Sequence, residues 1–524
     1  MTPFGQLHGC ACCKLNRRLF LARGCAACAG TAGLLAAGSR AYSAEDASKT
    51  RVRIVFALHA VKQPVADWPN IGYDFAPVMK RIEEELSQRC PGFEFLVSMA
   101  AGPEQAKKIV EADKSAEIDG YLVCQMNCWN RVVQTIAETG KPVLYADYHF
   151  AGSGGFLVYT ASFLRNKTPN VGFVASSKIE DLAAAVKCFQ VVKNGGSVAD
   201  FVAATAKVRI EATARPGDLT CKPDELKPLS IDECRKRMRE SKILAVGGGW
   251  PGIIPAIQEQ MGIPVVNVTF AELNDAWKAA DKDQSREIAD RWAKAAAAVV
   301  DIAPGVLQDS AAMYLAQKAV LQKHGANAIT INCLGGFYGK HIHAYPCLGF
   351  FELLNEGLIG ACECDLRSTA TMVAMTALTQ GRPGYISDPV LDTAHRHIIY
   401  AHCVASNRVF GPQGAANPFT IMTHSEDRQG ASVRSTLPEG YMTTTVEFAP
   451  ERKEILFHRA KAVGNSTEDR ACRTKLVAEP VGDFEKLFTE WDRWGWHRVT
   501  YYGDLKEPVY ALAEALGWKV TEEA

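Results

Sequence analysis

The sequence predicts an α/β protein with two Rossmann-like parallel-sheet domains followed by a β-rich, barrel-like C-terminal domain. Three observations predict it. Short β-branched runs alternate with helical patterns from Arg51 to about Cys333, the pattern of βαβ units on a parallel sheet. From about Thr420 the texture changes to short alternating segments separated by Pro, Gly and Asn, which suits a small barrel or sandwich. A chain of 524 residues also exceeds what one hydrophobic core organises.

The first α/β domain is expected over residues 50–160. Arg51–Leu58 reads as a strand, Phe75–Gln88 as an amphipathic helix and Phe93–Ser98 as a strand. Glu104–Asp113 follows as a helix, Ile118–Val123 as a strand, Val132–Glu138 as a helix and Pro142–Ala146 as a strand. Gly152-Ser153-Gly154-Gly155 punctuates the chain there. The second α/β domain is expected over residues 161–355. Its strands are Val171–Ala175, Ile243–Val246, Val265–Phe270 and Ala328–Cys333. Its helical runs are Ile179–Val192, the Ala-rich stretch from Ser285 to Ala303, and Met313–Lys323. Residues 356–524 form the β-rich domain, with a helical run at Ser368–Leu378 and strand-like segments at Thr443–Phe448 and Glu454–Arg459.

Residues 1–44 stand apart. Arg17-Arg18-Leu19-Phe20-Leu21 precedes a weakly apolar, Ala/Gly-rich run from Gly24 to Gly38, and small residues follow at Ala41, Ser43 and Ala44. This reads as a signal peptide of the twin-arginine type, cleaved near Ser43 or Ala44, with export to the periplasm or cell exterior. A basic tail on a cytoplasmic protein is the alternative. No later stretch is apolar over 18 residues, so no membrane span is expected. The 58 basic and 58 acidic residues cancel, which offers no basic field for nucleic acid and leaves a small neutral ligand such as a sugar compatible. Twelve cysteines outside the leader are dispersed without paired CxxC spacing, and read as buried small hydrophobes.

The chemistry concentrates in the last third. In Gly360-Ala361-Cys362-Glu363-Cys364-Asp365-Leu366-Arg367-Ser368-Thr369-Ala370, two carboxylates sit among small and apolar residues. Burying such groups is costly unless they are paired or bound to a cation; a solvated helix start with Asp365 or Ser368 near the N-cap is the plainer reading. Asp388 follows in Tyr385–Pro389, then His395 and His397, then His402 after an apolar helix or strand, and far downstream His497 in Gly495-Trp496-His497, with Asp504 beyond it. Carboxylates and imidazoles drawn from separate segments suit Mn²⁺, Fe²⁺ or Zn²⁺. Gly247-Gly248-Gly249 lacks phosphate-loop spacing and reads as a tight strand-to-helix turn. Asn332–Phe337 reads as a Gly-rich strand end facing a crevice.

The order Gly-x-x-Glu-x-Asp-Leu-x-Ser-Thr-Ala, an acid 25 positions after Glu363, Ala401-His402, and a late histidine followed by Gly503-Asp504 resembles the L-fucose/L-arabinose isomerase superfamily across roughly residues 50–520. The resemblance implies a metal-dependent aldose–ketose isomerase working through an enediolate on a sugar, as a homo-oligomer. It implies that Glu363, Asp388 and His497 bind Mn²⁺ or another divalent metal, that Glu363 and Asp388 also move the protons, and that His402 matches the extra histidine ligand of the arabinose branch. Asp388 follows the fucose branch, and Trp496 stands where the family more often has a polar residue. The alternative is a non-catalytic exported carbohydrate-binding protein on the same scaffold.

Overall fold

The computed structural model describes residues 49–524; the expected signal peptide lies outside the described residues. Five strands form a parallel sheet: β1 (Thr50–Ala57), β2 (Phe93–Ala100), β3 (Gly120–Gln125), β4 (Val143–Asp147) and β5 (Val171–Val174). Their order is β2-β1-β3-β4-β5. All of β3 and most of β1, β4 and β5 are buried, which is why these segments read as continuous apolar runs rather than as alternating ones. Helices Ala76–Arg89, Pro103–Ala112, Val132–Ala137 and Ser153–Arg165 make the crossovers.

A second parallel sheet has the order β10-β9-β6-β7. It comprises β6 (Ile243–Val246), β7 (Val265–Val268), β9 (Ala328–Ile331) and β10 (Ile359–Ala361). Between β7 and β9 the chain departs from expectation. The Ala-rich run ends as a helix at Ala295 (Lys282–Ala295), and Ala298–Val300 becomes β8. Val299 and Val300 pair there with residues about 120 positions downstream, in β13 (Phe419–Met422), so non-local pairing overrides local helix propensity. Likewise β7 stops at Val268, because Thr269 caps the next helix by accepting from the Glu272 amide. The expected helix at Ile179–Val192 is two, Ile179–Lys187 and Phe189–Lys193. A helix not anticipated, Val198–Ala212, starts at a capping box formed by Ser197 and Asp200.

The C-terminal strands are β11 (Tyr385–Asp392), β12 (His397–His402), β13, β14 (Ser432–Ser435), β15 (Met442–Ala449), β16 (Glu454–Asn465), β17 (Thr474–Pro480), β18 (Arg498–Tyr502) and β19 (Lys519–Glu522). The antiparallel order β15-β18-β11-β12-β17-β16 closes on itself through β15–β16 pairing, making a barrel, and β19 adds to β16 in parallel. The small sheet β14-β13-β8 ties this region to the second α/β unit. The fold class read from the sequence is therefore the one observed. All twelve described cysteines are free, eleven of them buried. No helix among the described residues is long and apolar enough to cross a membrane.

Candidate metal centre

The site begins where β10 ends. After Ala361 the chain turns through Glu363 and Cys364, both in the left-handed region (φ +62° and +49°), a conformation costly for side-chain-bearing residues that tends to persist where the surroundings enforce it. Cys364 N–H donates to the carbonyl of Ile331 at the end of β9 (2.9 Å). Gly249, after β6, packs against the same turn; a Cβ there would lie 2.6 Å from the Cys364 carbonyl oxygen. Asp365 then caps the helix Leu366–Leu378, its Oδ1 accepting from the amides of Arg367 and Ser368 (both 3.0 Å).

Three barrel segments complete the site. Asp388 lies in β11 in register with Ala401, next to His402 in β12, and His497 immediately precedes β18. His497 Nε2 is 3.0 Å from Asp388 Oδ1 and 3.5 Å from Glu363 Oε2. His402 Nε2 is 3.5 Å from Glu363 Oε1 and 3.8 Å from Asp388 Oδ2. One ligating atom from each of Glu363, Asp388, His402 and His497 can be chosen so that all four lie within 4.8 Å of one another. Asp388 Oδ1 and both ring nitrogens of His402 are buried without a hydrogen-bond partner. A buried imidazole with neither nitrogen bonded is uncommon; together with two carboxylates and a second imidazole it makes a donor set that fits one divalent transition-metal ion.

Electrostatics agree with that set. Burial works against charge on His497, yet Asp388, Asp365 and Glu363 around it hold its pKa well above the ordinary imidazole value. Burial raises the Glu363 carboxyl while the imidazoles of His402 and His497 bring it down to about 2. Asp365 is pulled below the usual carboxylate range by His497 and by its cap bonds to Ser368. His497 Nδ1–H donates to Asp365 Oδ2 (2.8 Å), so the helix cap also orients the imidazole and leaves Nε2 facing Asp388 and Glu363. Behind His497, Arg498 Nη1 donates to the carbonyls of Gly495 and His497 (2.8 Å each) and is itself held by fully buried Glu523 (2.7 Å).

The cluster opens into a cavity of about 580 Å³. Its far wall comes from the first sheet, whose order reverses direction at β1/β3, the place where open α/β sheets hold ligands. Asp67 and Trp68 follow β1, and Trp129 follows β3. Asn127 ties the two loops, accepting from His59 N–H (2.9 Å) and donating to the Trp68 carbonyl (2.7 Å). Trp496 meets Trp68 edge-on at 4.9 Å and Trp129 at 5.9 Å, and its Nε1–H donates to the Pro389 carbonyl (3.2 Å). Its ring covers Gly154, where a Cβ would lie 2.6 Å away. That close approach accounts for glycine at position 154 of the Gly152–Gly155 run.

The structure thus brings together the four residues singled out in the sequence, Glu363, Asp388, His402 and His497. It does not bring in His395, which is half exposed and bonded to Asp392 (2.7 Å), nor Asp504, which pairs with Arg459. Leu334 and Gly335 of the Gly-rich strand end do line the cavity. Sequence reasoning missed Asp365 as the partner of His497, and it missed Glu426 and Glu447, two buried acids facing the cavity. The signal for Glu447 was a lone acid inside a strand otherwise of Met, Thr, Val, Phe and Ala.

The fold and site define a protein with a two-carboxylate, two-imidazole centre set between parallel α/β sheets and a barrel. No family model matches the chain. It is similar to proteins named sulfoquinovose isomerase. One, from Clostridium sp. (strain MSTE9), is 27% identical over 213 residues, 39% of this chain and 46% of that protein. Those of Priestia aryabhattai and Priestia megaterium are 24% identical over 306 residues, 56% of this chain and 66% of theirs. The matches thus span from about half to about two thirds of the relatives' length. Among solved structures, a sugar ABC transporter from Yersinia enterocolitica aligns at TM-score 0.17 with 12% identity, over 55% of this chain and 66% of that one. A leucine-, isoleucine-, valine-, threonine- and alanine-binding protein from Brucella ovis aligns at TM-score 0.22 with 12% identity, over 83% and 95%. Superpositions this poor bear on neither fold nor function.

Proposed function

We propose that the protein is a metal-dependent sugar isomerase that interconverts an aldose and a ketose through an enediolate, with Glu363, Asp388, His402 and His497 holding Mn²⁺ or a similar divalent ion. The observation that carries this reading is the convergence of two carboxylates and two imidazoles, with orphaned buried donor atoms, on one point of an open cavity. The names of the distant relatives support it.

Aldose–ketose exchange removes a proton from one carbon, returns one to its neighbour, and moves another between the two oxygens. A divalent ion held by the four residues would supply Lewis-acid polarisation of the sugar's carbonyl and adjacent hydroxyl. Glu363 and Asp388 come from different elements, a strand-end turn and a barrel strand, and serve as the base and acid of the carbon and oxygen proton transfers. The imidazoles keep Glu363 ionised and able to accept a proton. Asp365 fixes the His497 tautomer, and the tryptophans restrict water around the reacting carbons.

The test is carbon-bound proton exchange. With the Mn²⁺-loaded protein in D₂O, one or more aldose–ketose pairs should gain deuterium at the carbon next to the carbonyl. The nearly isosteric Asp388→Asn should lose turnover by about 10²–10⁴-fold while still binding sugar. If no aldose or ketose in a broad panel exchanges, the isomerase reading fails and a carbohydrate-binding protein takes its place.

A further inference from the structure

A second cavity, of about 310 Å³, opens at the C-terminal ends of β4 and β5 and shares no lining residue with the cavity of the metal centre. Its size falls at the small end of ligand pockets. The turn from β11 to β12 packs against the loop after β5. Asp392 accepts there from Ser177 N–H (3.0 Å) and Oγ (2.8 Å), and Thr393 N–H donates to the Ala175 carbonyl (2.8 Å). Asp392 lies four residues beyond Asp388 on β11, about 13 Å along a strand.

Two polar side chains lining this cavity are more than nine-tenths buried, and each keeps an atom without a partner. Asp147, which ends β4, has a side chain 1% exposed; its Oδ2 accepts from Ser153 Oγ (2.8 Å), while Oδ1 has no partner. His149 has a side chain 9% exposed, and its Nε2, also without a partner, stands 3.7 Å from Asp147 Oδ2, beyond hydrogen-bond reach. Burial pushes the Asp147 carboxyl up to about 8 and the His149 imidazole down, so near pH 7 both are uncharged. A hydroxyl, which both donates and accepts, can satisfy the two together.

The mouth has the opposite character. Arg81 and Lys178 line it, and both are exposed. Glu84, Glu85 and Glu180, their neighbours in sequence, pair instead with Lys80 and Arg89 (3.7, 2.9 and 2.8 Å). Arg81 and Lys178 are thus without an ion-pair partner among the described residues. Lys178 also begins the helix Ile179–Lys187, whose N-terminus has no side-chain cap; its first amides and its dipole add to the attraction for an anion. Asp181 in the first turn is taken up by Ser176 Oγ (2.5 Å). Glu468, the other acid on the walls, is bonded to Arg470 (2.8 Å), which also lies over the Tyr148 ring at 4.8 Å and donates to the His149 carbonyl (3.2 Å).

We propose that this cavity is a second ligand site, separate from the metal centre, and that it takes a small hydroxylated acid. A hydroxyl of the ligand bonds to Asp147 and His149, and its carboxylate or phosphate meets Arg81, Lys178 and the helix N-terminus. Phe150, Ile179 and Leu182 supply apolar wall for the carbon chain. The proposal does not depend on the isomerase reading, since none of these residues belongs to the metal cluster.

The experiment titrates five probes calorimetrically into the full chain, with and without Mn²⁺. D-gluconate and D-glucose 6-phosphate are hydroxylated acids of the two kinds, glucitol carries hydroxyls alone, and acetate and inorganic phosphate carry the anion alone. At least one of the two acids should bind about tenfold or more tighter than glucitol and than its bare anion, with or without Mn²⁺. Hydrogen exchange should slow over residues 147–153 and 176–182 when that acid is bound. The double variant Arg81→Gln/Lys178→Gln changes two exposed side chains and keeps the fold; it should weaken the acid about tenfold or more and leave glucitol unchanged. His149→Phe should weaken the acid and glucitol alike. Which acid binds decides between carboxylate and phosphate. The proposal is overturned if neither acid binds, if binding disappears without Mn²⁺, if the bare anion or glucitol binds as tightly, or if the double variant binds the acid as the wild type does.

Discussion

Replacing Glu523 by Gln tests how His497 is held in place. Glu523 follows β19 and is buried together with Arg498, both side chains having 0% exposure. One oxygen takes Arg498 Nη2 at 2.7 Å, and the other takes His458 Nδ1 at 2.9 Å. The guanidinium also lies over the Trp491 ring at 4.0 Å, and its Nη1 grips the carbonyls of Gly495 and His497. Removing one partner of such a pair leaves an uncompensated buried charge, a loss of about 3–5 kcal/mol. The electrostatics of Glu523 give a similar size. Burial opposes ionisation, but Arg498 and His458 bring the carboxyl to about 2 from an ordinary 4.5. A lowered carboxyl contributes stability that is present above the unfolded-state value and is lost as pH falls through the folded one. That shift corresponds to about 3 kcal/mol, present above about pH 4.5 and fading toward pH 2. Urea unfolding of the metal-free protein should therefore show Glu523→Gln less stable by about 3 kcal/mol at neutral pH, with the gap closing on acidification as the wild type loses its own contribution. Manganese titration at neutral pH should show weaker binding, because the backbone on both sides of His497 has lost its clamp. Equal unfolding midpoints at pH 7, or a gap that stays constant down to pH 3, would refute the reasoning.

Two further changes probe the walls and core. Gly154→Ala places a methyl where the Trp496 ring lies, 2.6 Å from its nearest atoms; the ring must move, at a cost of about 1–3 kcal/mol, and should carry His497 with it. Tryptophan emission and metal content should change together, and an unaltered spectrum would show that the packing is looser than described. Asp147 ends β4 with Oδ1 buried and unpaired, and burial pushes its carboxyl to about 8. A raised carboxyl favours folding below the unfolded value of 3.8 and loses that contribution as pH rises through the folded value. Asp147→Asn should therefore gain on the wild type by about 1 kcal/mol per pH unit between pH 5 and pH 8, read from denaturant midpoints; a flat difference would exclude it.

The parallel sheets were legible because their strands are buried on both faces and the helices between them carry a 3.6-residue period, so the pattern lies in local sequence. The end of the Ala-rich run was not, since alanine favours helix until Val299 and Val300 find partners in β13. Barrel closure depends equally on the non-local pairing of β15 with β18 and β16. At the site, Glu363 announced itself as an acid among small and apolar residues. A single histidine such as His402 or His497 carries no such mark, and only the resemblance singled those two out. Glu426 and Trp129 had no signal, because their importance lies in which loops meet.

Those meetings follow one rule. The turns that reach the cavity leave the C-terminal ends of β1, β3, β9 and β10, while β11, β12 and the segment before β18 bring Asp388, His402 and His497 from the barrel. Parallel sheets gather their loops at one end, and a barrel strand fixes its side chains rigidly. The metal-ligand set straddles that seam: Glu363 belongs to a strand-end turn, and the other three to the barrel. Asp365 crosses the seam as well, capping a helix that starts at the second sheet while holding the barrel's His497. Ordering of the centre is therefore coupled to docking of the barrel on the second sheet, so a change as remote as Glu523, which touches no ligand, reaches the site through the backbone of His497.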